Sequence, residues 1–535
     1  MTGAHPDEIA ALRLRFGPEV WHRICRHLDG IAIGSTVAAL TKAGVLSTLE
    51  RAAAPLDIDA LAAAHQSPRG CFHLAMRLLE EQGWVERAGA GEGGRKTVGL
   101  TAAGRGWLPY AGAYANSAAA LAVAQDLFTA LVRGTGFDQR RLRVMHEAIP
   151  ATGDVAERVR DHQWGALAAA AASGLYRSGR IDDNGSAAAA AFAVLRHQGW
   201  ATAEPGALSD AGRLALEWSA QYDHSISYFP TFAAIEERLF PSAAARQRET
   251  SDLDRHLDRR LDIDFSGNVF SRTCRDSFFE LALPLFDMPL AGQPAAIIDT
   301  GAGDGSLLRE LYGAIRDRTR RGQALTAQPL TMVGVEPSAI AREVMARSLA
   351  DAGVPAIVVD GDIADPAAIA DRLAPHGVDF AAALHVCKSV IHDRLYRPCD
   401  QSQAALTTLP WPPSDAVFVA EDDTLISHAA LQADLIRHFR TWRPWIAQQG
   451  MIVIEVHTVP AELIAAHEGS NVMTGLDASH GYSHQYLVER PTYLRAAAEA
   501  GLSASATRAL AAEMLGTPIM TIDHWWPTQV ARRSA

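Results

Sequence analysis

Ala296-Ile-Ile-Asp299-Thr-Gly301-Ala-Gly303-Asp-Gly305-Ser-Leu-Leu308 is the stretch that decides the fold class. A short apolar run ends in an acid, passes into three alternate glycines and resumes with helix-forming residues, which predicts a strand, a tight turn and a helix start. Glycine suits such a turn because it accepts positive φ and lets a ligand approach the backbone without meeting a Cβ. The free N–H groups of the helix that follows suit a carboxylate or phosphate. Working outward, Thr331-Met-Val-Gly-Val-Glu336 is a second apolar strand ending in an acid, and Ala356-Ile-Val-Val-Asp360-Gly361-Asp362 is a third. In a nucleotide-binding βαβ unit the acid after the second strand faces ribose hydroxyls. The glycines stand at alternate positions, whereas a dinucleotide fingerprint places its last one three residues on.

These three strand ends together resemble the class I S-adenosylmethionine-dependent methyltransferases. The resemblance implies an α/β, Rossmann-like seven-stranded sheet. It also implies that Asp299, Gly301, Gly303 and Gly305 lie along the methionine part of S-adenosyl-L-methionine, that Glu336 holds the ribose, and that Asp362 lies near the adenine. Asp379-Phe-Ala-Ala-Ala-Leu-His385 reads as the fourth strand, and His385 is placed with the cofactor set.

Composition sets limits on the rest. At 535 residues and 48% hydrophobic, the chain builds two or three domains with substantial cores. A net charge of −12 argues against a nucleic-acid binder, which needs a concentrated basic face. Cys25, Cys71, Cys274, Cys387 and Cys399 are scattered, with no CxxC spacing, so a disulfide framework is not expected. No apolar run approaches the ~20 residues that span a bilayer, and the N-terminus lacks a basic segment followed by an apolar one. A cytoplasmic protein with no membrane and no nucleic-acid partner is the expectation.

The first half carries an internal repeat. Leu79-Glu-Glu-Gln82-Gly83-Trp84 is echoed by Leu195-Arg-His-Gln198-Gly199-Trp200, and Leu100-Thr-Ala-Ala-Gly104-Arg105 by Leu208-Ser-Asp-Ala-Gly212-Arg213. A Gly-rich insert, 88–95, reads as a hairpin tip in the first copy. Helix, hairpin, helix in each copy looks like a winged helix, giving a mostly helical module with two winged-helix-like repeats at 1–130 and 131–250. The second serves as lid or dimerisation element, so a homodimer is expected by analogy. A linker and helix follow at 251–290, with Leu257 to Phe270 polar and Ser271 to Leu283 amphipathic, and then the cofactor-binding domain at 291–535. The alanine run Ser186 to Phe192 offers no side chains for reading bases. That disfavours the rival class, a winged-helix regulator in which the methyltransferase fold only senses a ligand.

Chemistry is expected outside the carboxyl ends of the parallel strands. Val390-Ile-His392-Asp393-Arg394 resembles the Leu-His-Asp-Trp motif of small-molecule O-methyltransferases, and the resemblance makes His392 a general base; Arg394 stands where the family has tryptophan. A neutral imidazole takes a proton from an enol or phenol near neutral pH. A second cluster follows the fifth strand: His457, then His480-Gly-Tyr482-Ser-His484-Gln485-Tyr486. His457, His480 and Gln485 suit a divalent first-row metal, leaving His484 as a second catalytic candidate. The doubled helical front end, Ser266-Gly267-Asn268, His392-Asp393 and the His480 loop together resemble the mononuclear-iron-dependent C-methyltransferases of polyketide synthase loading modules. That resemblance implies iron or manganese, and a small-molecule or carrier-bound acyl acceptor with an enolisable carbon. Metal-free O-methylation with His392 as base is the alternative.

Overall fold

The computed structural model describes residues 6–89, 96–143, 154–179, 185–242, 256–398 and 410–528. By contact the chain forms two units. One is drawn from residues up to Asp262 together with two later excursions, Val417–Leu425 and Pro460–His484; the other from Ile263–Ala416, Ile426–Val459 and Gln485 onward.

The first unit is helical. Its longest elements are the helices Pro6–Lys42 and Asp154–Ser178. The alanines of the second are buried among Leu, Val and Phe side chains of the core. The repeat is visible as geometry. In the first copy Thr101 Oγ1 donates to Gly83 O (2.7 Å) and accepts from Gly104 N (2.7 Å). In the second, Ser209 Oγ donates to Gly199 O (2.8 Å) and accepts from Gly212 N (3.1 Å). Trp84 and Trp200 are buried at matching places, and a Cβ on Gly104 or Gly212 would overlap the carbonyl oxygen of Trp84 or Trp200 respectively. Each cap thus closes a helix start onto a tryptophan backbone too close for any side chain.

The copies differ in how much strand they form. The first has a three-stranded antiparallel sheet, β1 (Leu56–Asp57), β2 (Val85–Ala88) and β3 (Thr97–Leu100), in the order β1-β3-β2. The second has a single bridge, Ala201 with Leu208. Across its tip Thr202 N donates to Ala207 O (2.9 Å) and Ala207 N to Glu204 O (3.2 Å). The tip of the first hairpin, within 88–95, lies largely outside the described residues.

The second unit holds a seven-stranded sheet. Its parallel strands are β4 (Ala296–Thr300), β5 (Thr331–Val335), β6 (Ala356–Val359), β7 (Leu384–Lys388) and, after the short ribbon β8 (Phe418–Val419) with β9 (Leu425–Ile426), β10 (Met451–Val456). The antiparallel strands β11 (Leu502–Leu510) and β12 (Met520–Pro527) close it, giving the order β11-β12-β10-β7-β4-β5-β6. The chain leaves β4 toward β5 on one side and returns to β7 on the other, so the strand order reverses at β4/β7, where open α/β sheets bind ligands.

Two segments differ from the sequence reading. The fourth strand begins at Leu384, because Asp379 accepts from Ala381 N (3.1 Å) and Ala382 N (3.3 Å) and winds Phe380–Ala382 into a 3₁₀ turn. The expected linker is instead helical over Arg259–Val269, supported by an Arg259–Asp262 ion pair (3.1 Å) one turn apart, and it runs through a π-turn, Phe270–Cys274, into the helix Arg275–Ala282.

Candidate active site

The cofactor loop is built on backbone. Beyond the fully buried end of β4, Gly301 N and Ala302 N both donate to Val335 O (2.8 and 3.2 Å), and Gly303 N donates to Glu336 Oε2 (3.2 Å). Glu336 Oε1 accepts from Ser338 N (3.0 Å), so this buried carboxylate ties the first loop to the second. Gly301, Gly303 and Gly305 all have positive φ, and a side chain at Gly301 would overlap Val390. Asp362 accepts from Ala364 N (2.9 Å), whereas Asp360 is engaged by Arg342 (3.0 Å) and Arg372.

Asp299 is the buried carboxyl at the heart of this loop. Burial first, then Glu336, push its carboxyl up to about 8, with Lys388 opposing them. Its Oδ1 and the neighbouring Thr300 Oγ1 are buried without a hydrogen-bond partner. Orphaned acceptors of this kind call for a donor or a cation. Lys388, the last residue of β7, donates to Ser266 Oγ (2.7 Å), and a Cβ on Gly267 would press on Asp304. The Ser266-Gly267 pair noted in the sequence therefore lies against the cofactor loop.

A second buried group stands at the ends of β7 and β10. His392 Nδ1 is 2.5 Å from Glu455 Oε1, and Glu455 also accepts from Ile391 N (3.1 Å) and Val456 N (2.9 Å). Burial would raise the Glu455 carboxyl, yet His392 and these hydrogen bonds hold it below its ordinary value. Tyr486 N donates to His392 O (2.8 Å) and fixes the loop from the other side. An imidazole with a carboxylate on Nδ1 has its tautomer and orientation set. Sequence reasoning found His392 and passed over Glu455; the available signal was an acid at the end of a parallel strand, the same signal that singled out Glu336.

The other expected residues have different surroundings. His385 sits at the amino-terminal end of β7, not at its ligand end. Its Nε2 is 2.8 Å from Phe380 O and its ring packs between Phe380 and Trp442, so the structure gives it a packing role in place of a cofactor contact. Arg394 is buried on Asp434 (3.0 Å) and Ile391 O (2.7 Å), holding the His392 loop from behind. His457 is fully buried, with Nε2 2.9 Å from Thr521 Oγ1, and burial lowers its pKa to about 4. His457 and Gln485 belong to the sheet unit; His480 and His484 belong to the helical one. His480 Nδ1 bonds Leu476 O (2.6 Å) within its own helix. His484, at positive φ, has Nε2 2.7 Å from the Arg238 guanidinium. Arginine only donates, so this contact engages the lone pair that a base would use. His484 is thereby tied into a buried knot with Arg238 and Asp423 that the sequence did not show.

Residues 254–512 match the model of the AprA MT2-like methyltransferase domain, and residues 21–87 that of the AprA N-terminal domain. The chain is a class I S-adenosylmethionine-dependent methyltransferase. Among solved structures, an O-methyltransferase family 2 protein from Planctomyces limnophilus in complex with apigenin is 11% identical, covers 96% of each chain and has a TM-score of 0.38. The CurJ carbon methyltransferase is 10% identical over 97% of this chain and 99% of its own, with a TM-score of 0.37. Human N-acetylserotonin methyltransferase, in complex with S-adenosylmethionine, is 12% identical over 94% and 95%, with a TM-score of 0.29. No curated protein matches the sequence. Among the described residues no single helix is long and apolar enough to cross a membrane.

Proposed function

We propose that this methyltransferase acts on a small natural-product acceptor, free or carrier-bound, whose proton must leave as the methyl arrives, and that His392 removes it. The observation that carries this reading is the buried His392–Glu455 pair, 2.5 Å apart, at the ends of the two strands that continue the sheet beyond the cofactor loop. Glu455 orients the imidazole and stabilises the imidazolium that proton removal creates. Asp299, the loop glycines, Glu336 and Asp362 hold S-adenosylmethionine. The acceptor atom is then the carbon of an enolisable acid or the oxygen of an enol or phenol. Transfer of a ¹³C-methyl group followed by NMR of the product separates the two. Replacement of His392 by alanine with no loss of turnover would overturn the base assignment.

A metal-assisted variant has one observation in its favour. Burial holds the His457 ring neutral, the state in which histidine binds a metal. Held by His457 and Gln485, two of the donors expected from the sequence, iron or manganese would acidify the acceptor. Turnover that survives exhaustive chelation excludes this variant and leaves His392 as the sole activating group.

A further inference from the structure

The helical unit contains a polar cluster that methyl transfer does not use. Asp29 lies on the helix Pro6–Lys42, His162 on the helix Asp154–Ser178, and Glu468 in the turn after the helix Ala461–Ala466. One ligand atom from each lies within 4.8 Å of the others, and among the described residues no other three His, Cys, Asp or Glu side chains meet this condition. We propose that Asp29, His162 and Glu468 form a structural site for a divalent first-row transition ion that staples the two long helices to the returning segment Pro460–His484.

Three features point to an ion. His162 is 3% exposed and its Nε2 has no hydrogen-bond partner, while its Nδ1 is 2.8 Å from Tyr114 Oη. A metal-bound histidine shows this arrangement, one nitrogen donating to an outer oxygen so that the other presents its lone pair. Asp29 is buried beside the part-buried Glu468, so two carboxylates stand close together. Like charges so placed are costly unless a cation joins them. Two guanidiniums reach the cluster, Arg158 at 3.0 Å and Arg26 at 3.9 Å from Glu468, and both also act on Asp29; Arg158 is further engaged by Gln82 (2.6 Å) and the Trp107 ring. The backbones meet closely here as well: a Cβ on Gly30 would overlap the His162 backbone, and one on Gly165 the His27 carbonyl, so the helices carrying two of the donors are held in register. Ligands about 2.1 Å from a shared ion lie no more than about 4.2 Å apart, so the set must draw in slightly around an ion. One imidazole and two carboxylates suit zinc, manganese or iron(II).

The test uses the full chain, freed of metal by chelation and dialysis, then titrated separately with Zn²⁺ and Mn²⁺ while melting temperature and bound metal are measured. One of these ions at about one per chain, with a raised melting temperature, is the expected result. His162→Ala and Glu468→Gln should lose both effects while unfolding cooperatively, and His457→Ala should keep both. If the metal-free chain takes up no ion at micromolar concentration, the cluster is an ion network served by Arg158 and Arg26 alone, and the proposal falls. It falls equally if uptake survives His162→Ala and is lost in His457→Ala. Neither outcome touches the base assignment, which turnover measures.

Discussion

The cofactor loop at the end of β4 and the His392–Glu455 pair at the ends of β7 and β10 sit on the same sheet, yet they are built on different principles. The loop is mostly main chain: Gly301, Ala302 and Gly303 present their N–H groups to Val335 O and Glu336, and side chains matter there chiefly by their absence. The pair is made of two side chains from residues 63 apart in sequence, steadied by the N–H groups of Ile391 and Val456. A site made of backbone tolerates no added atom, whereas one made of side chains tolerates none removed.

The largest effect on cofactor binding should follow from adding atoms to the loop. Gly301→Val forces a β-branched residue to φ +77 and drives its side chain into Val390. Cofactor affinity by calorimetry should fall at least about 100-fold, some 2.7 kcal/mol, with helical content by circular dichroism unchanged. Retained affinity would mean that the loop is not the cradle. Removing atoms from the pair should leave affinity alone. His392→Ala is expected to lower turnover by about 10²–10⁴ with the cofactor dissociation constant held within about threefold. Glu455→Gln, which keeps the shape and loses the charge, should cost less, about 10–100-fold, and also in turnover alone. If either change weakens the cofactor as much as turnover, the two regions are one site and the division fails.

The same division explains what could be read in the sequence. A backbone cradle must be contiguous, so its strand, glycines and terminal acid appear as one run, Ala296 to Leu308, and the later acids Glu336 and Asp362 recur at strand ends in order. The repeat was legible for a related reason: Gly104 and Gly212 are imposed by tryptophan backbones only a few turns away. Side-chain groups assembled across the fold leave no such trace. Glu455 gains its meaning only when β10 is laid beside β7, and Arg238 and Asp423 acquire theirs only where His484 returns to the helical unit. His385 misled because Asp379 turned the start of the expected strand into a 3₁₀ turn, which moved the strand's ligand end three residues on, to Lys388.

Asp299 belongs to both categories, a side chain inside the backbone cradle, and gives the smallest and most specific test. With its carboxyl pushed up to about 8, it is largely protonated at pH 7 in the cofactor-free chain. The sign follows from linkage: between its ordinary value near 3.8 and about 8 the unfolded chain gives up this proton and the folded chain keeps it, so ionisation opposes folding. The group's contribution is intact below that window and is lost as pH rises through it. A bound ammonium reverses the preference, because an opposite charge favours the carboxylate. Cofactor binding should therefore release a proton from Asp299 and tighten as pH rises from 6 to 8, by up to about tenfold per unit. Calorimetry in two buffers of different ionisation enthalpy measures the release directly. Asp299→Asn should bind more weakly at pH 8 and lose most of the slope. A slope unchanged in that variant would assign the titration to another group and place the cofactor's ammonium away from the end of β4.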